Sequence, residues 1–326
     1  MRRRDFITLL GGAATTWPLG VGAQQAKKLV RIGILSPAGQ TSTQVFDGLR
    51  QGLRELGYVD GENIIIEYRL TAGDFSRLAP MAAELVRIPV DVIVPDGGDG
   101  VTQIALDATR TIPIVAPTSW DPVAAGLATS LAHPGGNITG LTMFPEELSS
   151  KRVQLLKEAF PAITRIAVFW NPGAAPFSQV RGTEAAARAL GMQLQEIGIT
   201  TAARIAGGFE TALDGGAEGL IVINDAMFWN ERARIVALAA KSRLPAIYPE
   251  REYADAGGVL AYGPNVPDNF RRAAGYIDKI LKGVKPGDLP IEQPIKFDFI
   301  LNLKASRALG LEVPRTLLAR ADEVIE

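Results

Sequence analysis

The sequence predicts an α/β protein with two doubly wound parallel-sheet lobes joined by a multi-strand hinge. Short apolar runs alternate with helical patterns of about 10–15 residues, which is typical of βαβ units in parallel sheets. A turn-forming stretch at 133–140 interrupts this alternation near mid-chain, and a second interruption follows at 261–265. An eight-stranded barrel has no reason for such interruptions, so two lobes fit better than one barrel or one large sheet. The interruptions also suggest that the chain crosses between the lobes more than once.

Strands and helices alternate through the first half of the chain. The apolar segment 29–35 is predicted as the first strand. Val45, Leu49, Leu53 and Leu56 then repeat at helical spacing until Gly57 ends the predicted helix over 44–56. The other elements predicted in this half are a strand at 63–70, a helix at 75–87, a buried strand at 90–94, a helix through Thr109 and a strand at 113–116.

The same alternation returns after Gly140 and predicts the second lobe. Because strands again alternate with helices, this half is also expected to form a parallel sheet. The predicted elements are a helix at 145–160, a strand at 165–170, a helix at 175–190, strands at 193–197, 219–223 and 245–248, helices around Thr211 and over 231–242, a helix at 270–282 and a final strand at 294–303.

Composition excludes several classes of function. The chain has 34 Lys and Arg residues against 35 Asp and Glu residues, for a formal net charge of -1. Without a basic surplus, nucleic acid is a poor candidate partner. The sequence has no cysteine and only 1 histidine, which excludes disulfide scaffolds, thiolate nucleophiles and cysteine-based metal sites. That residue, His133, lies in a turn-forming segment and is expected to be solvated, so we expect neither a metal nor a cofactor.

The first 23 residues are predicted to be a signal peptide. Arg2, Arg3 and Arg4 precede a weakly apolar stretch over 6–19, and small residues follow at 21–23. The order Arg-Arg-Asp-Phe-Ile at 3–7 resembles the twin-arginine export motif. No later apolar run approaches the length of about 20 residues that spans a bilayer. We therefore expect the mature protein, 24–326, to be free in the periplasm and not inserted in a membrane; the alternative is a basic start before a buried helix.

Candidate ligand-binding residues follow from the predicted fold. In open α/β sheets, ligands bind outside the carboxyl ends of the strands, so two facing lobes enclose a cleft. Of the four tryptophans, Trp120, Trp170 and Trp229 fall at or just past predicted strand ends, which indicates an aromatic cleft. The candidates are Ser36, Ala38, Gly97, Gly98, Thr118, Ser119, Trp120, Asp121, Asn171, Asp225, Phe228, Tyr248 and Tyr262.

Several segments together match a known family. The mature chain resembles the ABC-transporter substrate-binding proteins of the tryptophan/tyrosine-binding type over essentially its whole length. Asp99 and Trp120 depart from that pattern, because smaller residues are common at both places. The matching segments are 31–35 (Arg-Ile-Gly-Ile-Leu), 48–50 with 53–58, 63–69, 121–127 (Asp-Pro-Val-Ala-Ala-Gly-Leu), 134–140, 184–191, 243–248 (Arg-Leu-Pro-Ala-Ile-Tyr), 262–265 (Tyr-Gly-Pro-Asn), 302–304 and 321–325.

The resemblance implies a type I periplasmic binding fold with two lobes and three crossovers. One small organic ligand, typically an aromatic or related amino acid, would be held between the lobes and delivered to a membrane permease and its ATPase. We expect a monomer whose first lobe comprises 24–142 and 263–293 and whose second comprises 143–262 and 294–326. A sensor partner for a membrane receptor would use the same fold.

An amino acid ligand needs an acceptor for its ammonium group, donors for its carboxylate and an apolar wall. The hydroxyls of Ser36, Thr118 and Ser119 are candidate donors, and Asp225, then Asp99, are the candidate acceptors. Trp120, Phe228 and Tyr248 are the candidate wall. Each has a structural alternative: helix capping for Ser36, Thr118, Asp121 and Asp225, core packing for Trp170, and a tight turn for Gly97 and Gly98.

A rival hypothesis is an exported α/β enzyme, hydrolase-like, that acts on a small molecule. The sequence has no Gly-x-Ser-x-Gly elbow, no His-Glu-x-x-His helix and no P-loop, all of which argue against it. A paired-carboxylate site built from Asp99, Asp121 and Asp225 stays open, because the separation of the carboxylates cannot be derived from sequence.

Overall fold

The computed structural model describes residues 29–39, 46–143, 147–174 and 177–326. The predicted signal peptide, 1–23, lies outside these residues. Two β-sheets, each covered by helices on both faces, organise the described chain.

The N-terminal sheet consists of five parallel strands among the described residues, in the order β2-β1-β3-β4-β5. Ile32 and Ile34 on β1 pack towards one face of the sheet, while Leu35 packs towards the other. Both faces are buried, which explains why these strands are continuous apolar runs. The strands are β1 (Val30–Ser36), β2 (Ile64–Leu70), β3 (Val92–Pro95), β4 (Ile114–Ser119) and β5 (Ile138–Thr142), and the helices of this half are α1 (Asp47–Glu55), α2 (Leu78–Arg87) and α3 (Asp99–Ala108).

The C-terminal sheet has seven strands in the described chain, in the order β12-β11-β10-β9-β8-β6-β7. All neighbouring strands run parallel except β10 and β11, which are antiparallel. The strands are β6 (Arg165–Trp170), β7 (Gln193–Gly198), β8 (Gly219–Val222), β9 (Ala246–Tyr248), β10 (Leu260–Pro264), β11 (Phe297–Asn302) and β12 (Glu323–Ile325). The helices are α4 (Glu147–Ala159), α5 (Phe177–Ala189), α6 (Ile205–Asp214), α7 (Ala226–Asn230), α8 (Arg232–Lys241), α9 (Arg251–Asp255), α10 (Val266–Leu281), α11 (Leu303–Ala308) and α12 (Arg315–Leu318).

The chain passes between the two sheets three times. It leaves the N-terminal sheet after β5, returns after β10, and leaves again between the bridge that pairs Leu141 with Glu292 and the start of β11. Between the last two passages, α10 packs against α1 and completes the core of the N-terminal lobe. The rings of Phe46 and Phe270 meet edge to face in this core, with centroids 5.4 Å apart.

Two glycines on α1 allow α10 to approach closely. A Cβ atom on Gly48 would lie 2.1 Å from the carbonyl oxygen of Pro267, and one on Gly52 would lie 2.3 Å from that of Arg271. Real Cβ atoms do not come this close to backbone oxygens, so the contact requires glycine at both positions.

Two segments predicted as interruptions instead contain strands. The segment 133–140 leads into β5, and 261–265 overlaps β10. Each strand carries a glycine where another backbone comes near: a Cβ on Gly140 would lie 2.0 Å from the Ala116 oxygen, and one on Gly263 would lie 1.7 Å from the Pro249 oxygen. Glycine here permits close strand packing rather than a turn, which is why the sequence pattern was misleading. The antiparallel pair was also not predicted.

Most predicted helices and strands lie where periodicity placed them, within a few residues. Among the described residues, no helix combines the length and apolar character needed to cross a bilayer.

Replacing Gly52 with Ala should lower the free energy of unfolding by about 1–3 kcal/mol, because the added methyl group forces α1 and α10 apart. The matched control is Gly275→Ala on α10, where a Cβ would meet no atom within 4 Å. This control should be neutral or stabilising by up to about 1 kcal/mol, since alanine favours helix. Urea denaturation followed by circular dichroism measures both, and equal effects of the two substitutions would contradict the close-contact interpretation.

Candidate functional site

The carboxyl ends of β1, β3 and β4 face those of β8 and β9 across a cleft that holds two connected cavities. The inner chamber has a volume of ≈ 70 Å³ and the outer chamber ≈ 900 Å³. They share Gly97, Trp120, Ala226, Trp229 and Asn230. Also lining the inner chamber are Pro37, Ala38, Asp96, Gly98, Thr118, Met143, Asn224, Glu250, Glu252 and Val266.

The turn after β3 seats the Trp120 ring. Gly97 and Gly98 have φ values of +111° and +82°, a backbone conformation that favours glycine. A Cβ on Gly98 would lie 2.7 Å from atom Cε2 of Trp120. The ring therefore lies directly on this turn. Two glycines without side chains leave the space that the ring occupies.

Asp99 fastens the loop after β4. Its carboxylate accepts hydrogen bonds from the backbone N–H groups of Trp120 at 2.9 Å and Asp121 at 2.8 Å, and from the Ser119 hydroxyl. Burial raises the pKa of Asp99, while these hydrogen bonds oppose the shift. The Ser119 hydroxyl is thus directed towards Asp99, and the Asp99 carboxylate holds the backbone of the loop after β4.

Asp96 is held at the floor of the inner chamber. Ser36 Oγ donates to its Oδ2 at 2.7 Å, and Thr118 Oγ1 donates to its Oδ1 at 3.4 Å. Burial raises the pKa of Asp96, and the two hydroxyls and the Gly97 N–H lower it. Ser36 and Thr118 therefore orient a buried carboxylate. Asp96 directly follows β3 and could have been selected by the same rule that selected Gly97.

Asp225 caps α7 and also lines the outer chamber. Its Oδ1 accepts from the N–H groups of Met227 at 2.8 Å and Phe228 at 3.1 Å, while Asn171 Nδ2 donates to Oδ2 at 3.0 Å. Burial raises the pKa of Asp225, and these hydrogen bonds lower it. Asp225 is therefore the N-cap of α7, as the structural alternative predicted, and Asn171 donates a further hydrogen bond to it.

Glu250 contributes a buried carboxylate from the C-terminal lobe. Asn224 Nδ2 donates to its Oε1 at 2.6 Å, whereas Oε2 has no hydrogen-bond partner among the described residues. Burial, with smaller contributions from the charges of Glu252 and Asp96, raises the pKa of Glu250 to about 8. Asn224 and Arg152 act in the opposite direction. Sequence analysis stopped at Tyr248, the last residue of β9, two positions too early to find this group.

Two tryptophans form the apolar wall of the cleft. Trp120 and Trp229 line both chambers, and the Arg232 guanidinium lies 4.1 Å from the Trp229 ring centroid. Trp170 packs against the core of the C-terminal lobe instead. Trp229 was noted in the sequence but not chosen as a candidate.

The predicted site residues divide into two groups. Seven of the candidates line a chamber, namely Ala38, Gly97, Gly98, Thr118, Trp120, Asn171 and Asp225. The other six lie outside the lining of both chambers. Their ligand contacts, like those of the first group, stay a prediction.

The aromatic candidates outside the lining belong to the core. Phe228 is 0% exposed, and Tyr248, 1% exposed, stacks on Tyr253 with ring centroids 4.9 Å apart. Tyr262 packs on Phe297 and Phe299. These side chains build the C-terminal lobe, because they point into it rather than out of its carboxyl edge.

Asp121, by contrast, is exposed and accepts from the Ala124 N–H at 2.9 Å. It stabilises the turn that follows β4; no helix begins there, so the capping alternative was wrong in expecting one.

Comparison with known proteins identifies the family. The sequence profile described as ABC transporter substrate binding protein matches residues 32–325. The chain belongs to this family. As a substrate-binding protein, it has the fold class expected from sequence, two doubly wound lobes of the type I periplasmic binding kind, and both this fold class and the family resemblance are confirmed.

Three relatives of this substrate-binding protein are informative. The "Tyrosine-binding protein" of Clostridioides difficile (strain R20291) is 27% identical over 290 residues, covering 88% of this chain and 83% of the relative. A Streptococcus pneumonia domain solved in complex with L-Trp is 25% identical, with a TM-score of 0.84 and coverage of 91% and 99%. The ligand-free, open structure of a Clostridium difficile substrate binding protein with adhesive properties is 26% identical, with a TM-score of 0.69 and the same coverage.

Replacing Glu250 with Gln should stabilise the ligand-free protein more at pH 8.5 than at pH 5.5. A carboxyl whose pKa is raised by folding holds a proton in the folded state that the unfolded state has lost, so stability declines as pH rises from the unfolded value towards about 8. Glutamine has no proton to lose, so the variant avoids this pH-dependent decrease in the free energy of unfolding, which we expect to be about 1–3 kcal/mol.

Thermal denaturation at both pH values measures this difference. Glu196→Gln, on the exposed side of β7, is the matched control and should show the same offset at both. A constant offset for Glu250→Gln would contradict the shift assigned to Glu250.

Proposed function

We propose that this protein is the substrate-binding component of an ABC uptake transporter and that it traps an amino acid with an aromatic or hydrophobic side chain. The observation that carries the proposal is the inner chamber, where Trp120 and Trp229 flank fixed polar groups at the facing carboxyl edges of two sheets. The tyrosine-binding name of one relative and the L-Trp bound to another support the ligand class.

In this proposal, the ligand is enclosed by rotation of two lobes, 24–142 with 263–293 and 143–262 with 294–326. The overall arrangement is closer to the L-Trp complex, with a TM-score of 0.84, than to the open relative, with 0.69. This difference supports the interpretation that the described structure represents a closed form.

The remaining parts of the proposal follow from the family and the sequence. After removal of 1–23 through a twin-arginine route, the monomeric protein would meet its ligand in the periplasm and pass it to a permease and its ATPase, without a cofactor. The ligand would leave unaltered. Against a paired-carboxylate enzyme, Asp99 and Asp225 each accept backbone hydrogen bonds, and Asp121 is exposed.

Tryptophan fluorescence of residues 24–326 tests the ligand class. Titration with L-phenylalanine, L-tyrosine, aliphatic amino acids and sugars should give a saturable change with the aromatic amino acids, because Trp120 and Trp229 line the chambers. Trp229→Phe should remove much of this change, whereas Trp170→Phe, in the core, should retain it. A saturable response to sugars alone, or no response at all, would contradict the proposed class. Chromatography of the recovered ligand distinguishes binding from turnover.

Replacing Gly98 with Ala should weaken ligand binding by about tenfold or more, because the new methyl group displaces the Trp120 ring from the chamber wall. Gly61→Ala is the matched control: Gly61 has a φ of +83°, but a Cβ there meets nothing within 4 Å. Both glycines have a similar positive φ, so the control accounts for the part of the loss that follows from a positive φ alone. Calorimetric titration with L-tryptophan measures the affinities, and equal losses would refute the proposed role of the turn.

A further inference from the structure

The inner chamber is lined by acidic residues and by no basic ones. Asp96, Glu250 and Glu252 all line it, while its described lining contains no Lys, Arg or His. The basic residue that lines the outer chamber is Arg232, which lies over the Trp229 ring. A ligand group that enters the inner chamber therefore meets three carboxyl groups and no basic side chain of the described lining.

Among the described residues that line the inner chamber, one buried carboxylate oxygen has no hydrogen-bond partner. The carboxylates of Asp99 and Asp225 accept hydrogen bonds from backbone N–H groups and from one side chain each, and Asp96 accepts from two hydroxyls. Glu250 is 8% exposed, its Oε1 is held by Asn224, and its Oε2 has no hydrogen-bond partner among the described residues. A buried acceptor left open in this way costs free energy unless a ligand supplies a donor.

The two acids at the centre come from opposite lobes. Asp96 follows β3 of the N-terminal sheet, and Glu250 follows β9 of the C-terminal sheet. Their charges repel, since Asp96 opposes ionisation of Glu250. Glu252 acts in the same direction from α9, while the buried Arg152 on α4 attracts Glu250 from outside the chamber lining.

A metal ion is not the cation that this arrangement fits. Within the described parts of the chain, no group of three or more His, Cys, Asp or Glu side chains is placed to hold a metal. The flanking indole rings of Trp120 and Trp229 instead favour an organic cation, because aromatic faces attract ammonium groups.

We propose that the ligand's ammonium group binds in the inner chamber between Asp96 of one lobe and Glu250 of the other, donating a hydrogen bond to Glu250 Oε2. The positive charge removes the repulsion between these two acids, and closure of the lobes depends on it. This inference rests on the proposed function and narrows it: the substrate must carry a protonated amine, and an aromatic acid without one is rejected.

Calorimetric titration of residues 24–326 with two matched pairs tests the inference. The pairs are L-tryptophan with indole-3-propionic acid, and L-tyrosine with 3-(4-hydroxyphenyl)propionic acid, which differ in the amine alone. We expect the amino acids to bind at least about 100-fold more tightly than their partners. Glu250→Gln should weaken binding of the amino acids by about tenfold or more, whereas Glu196→Gln should leave it unchanged. Thermal denaturation verifies that both variants fold.

Each possible result has a definite meaning. Equal binding within a pair would overturn the ammonium site and leave the proposed function intact. Unchanged affinity of a folded Glu250→Gln variant for L-tryptophan would overturn the role of Glu250 in the same way. Failure of all four compounds to bind would overturn the proposed function, and the inference with it.

Discussion

The opposition of two carboxyl sheet edges is the constraint on which the candidate site depends. The three passages of the chain between the sheets hold those edges facing one another, and the close contact of α10 with α1 fixes where the second passage ends. Loops that are far apart in sequence, such as those carrying Asp96 and Glu250, thereby become opposite walls of one chamber. The chemistry of the cleft is a consequence of this topology.

The acids around the cleft have separate tasks. Asp99 and Asp225 fix the shape of the loops, because each accepts hydrogen bonds from backbone N–H groups that have no backbone partner in a turn or at the start of a helix. Asp96 and Glu250 line the inner chamber. Ser36 donates a hydrogen bond to Asp96, and Asn224 donates one to Glu250.

Periodicity was sufficient to predict the fold class and most elements, since apolar spacing records which face of each strand or helix is buried. It was insufficient at Gly140 and Gly263, where glycine serves close backbone approach and resembles a turn signal. For the site, the rule of inspecting strand ends selected Ala38, Gly97 and Trp120, which line the inner chamber. The same rule placed Phe228 and Tyr248 there because sequence does not tell which way a ring points, and it missed Glu250 because β9 ends two residues earlier.

The position of α10 also determines when the protein can fold. The first lobe begins with β1 at Val30, yet its core around Phe46 stays uncovered until Val266–Leu281 has been synthesised. The second sheet likewise waits for β11 and β12, which lie within the last thirty residues of the 326-residue chain. During synthesis, the first lobe therefore cannot complete its core until most of the second lobe has been made, whereas an independent N-terminal domain generally folds before the domain that follows it.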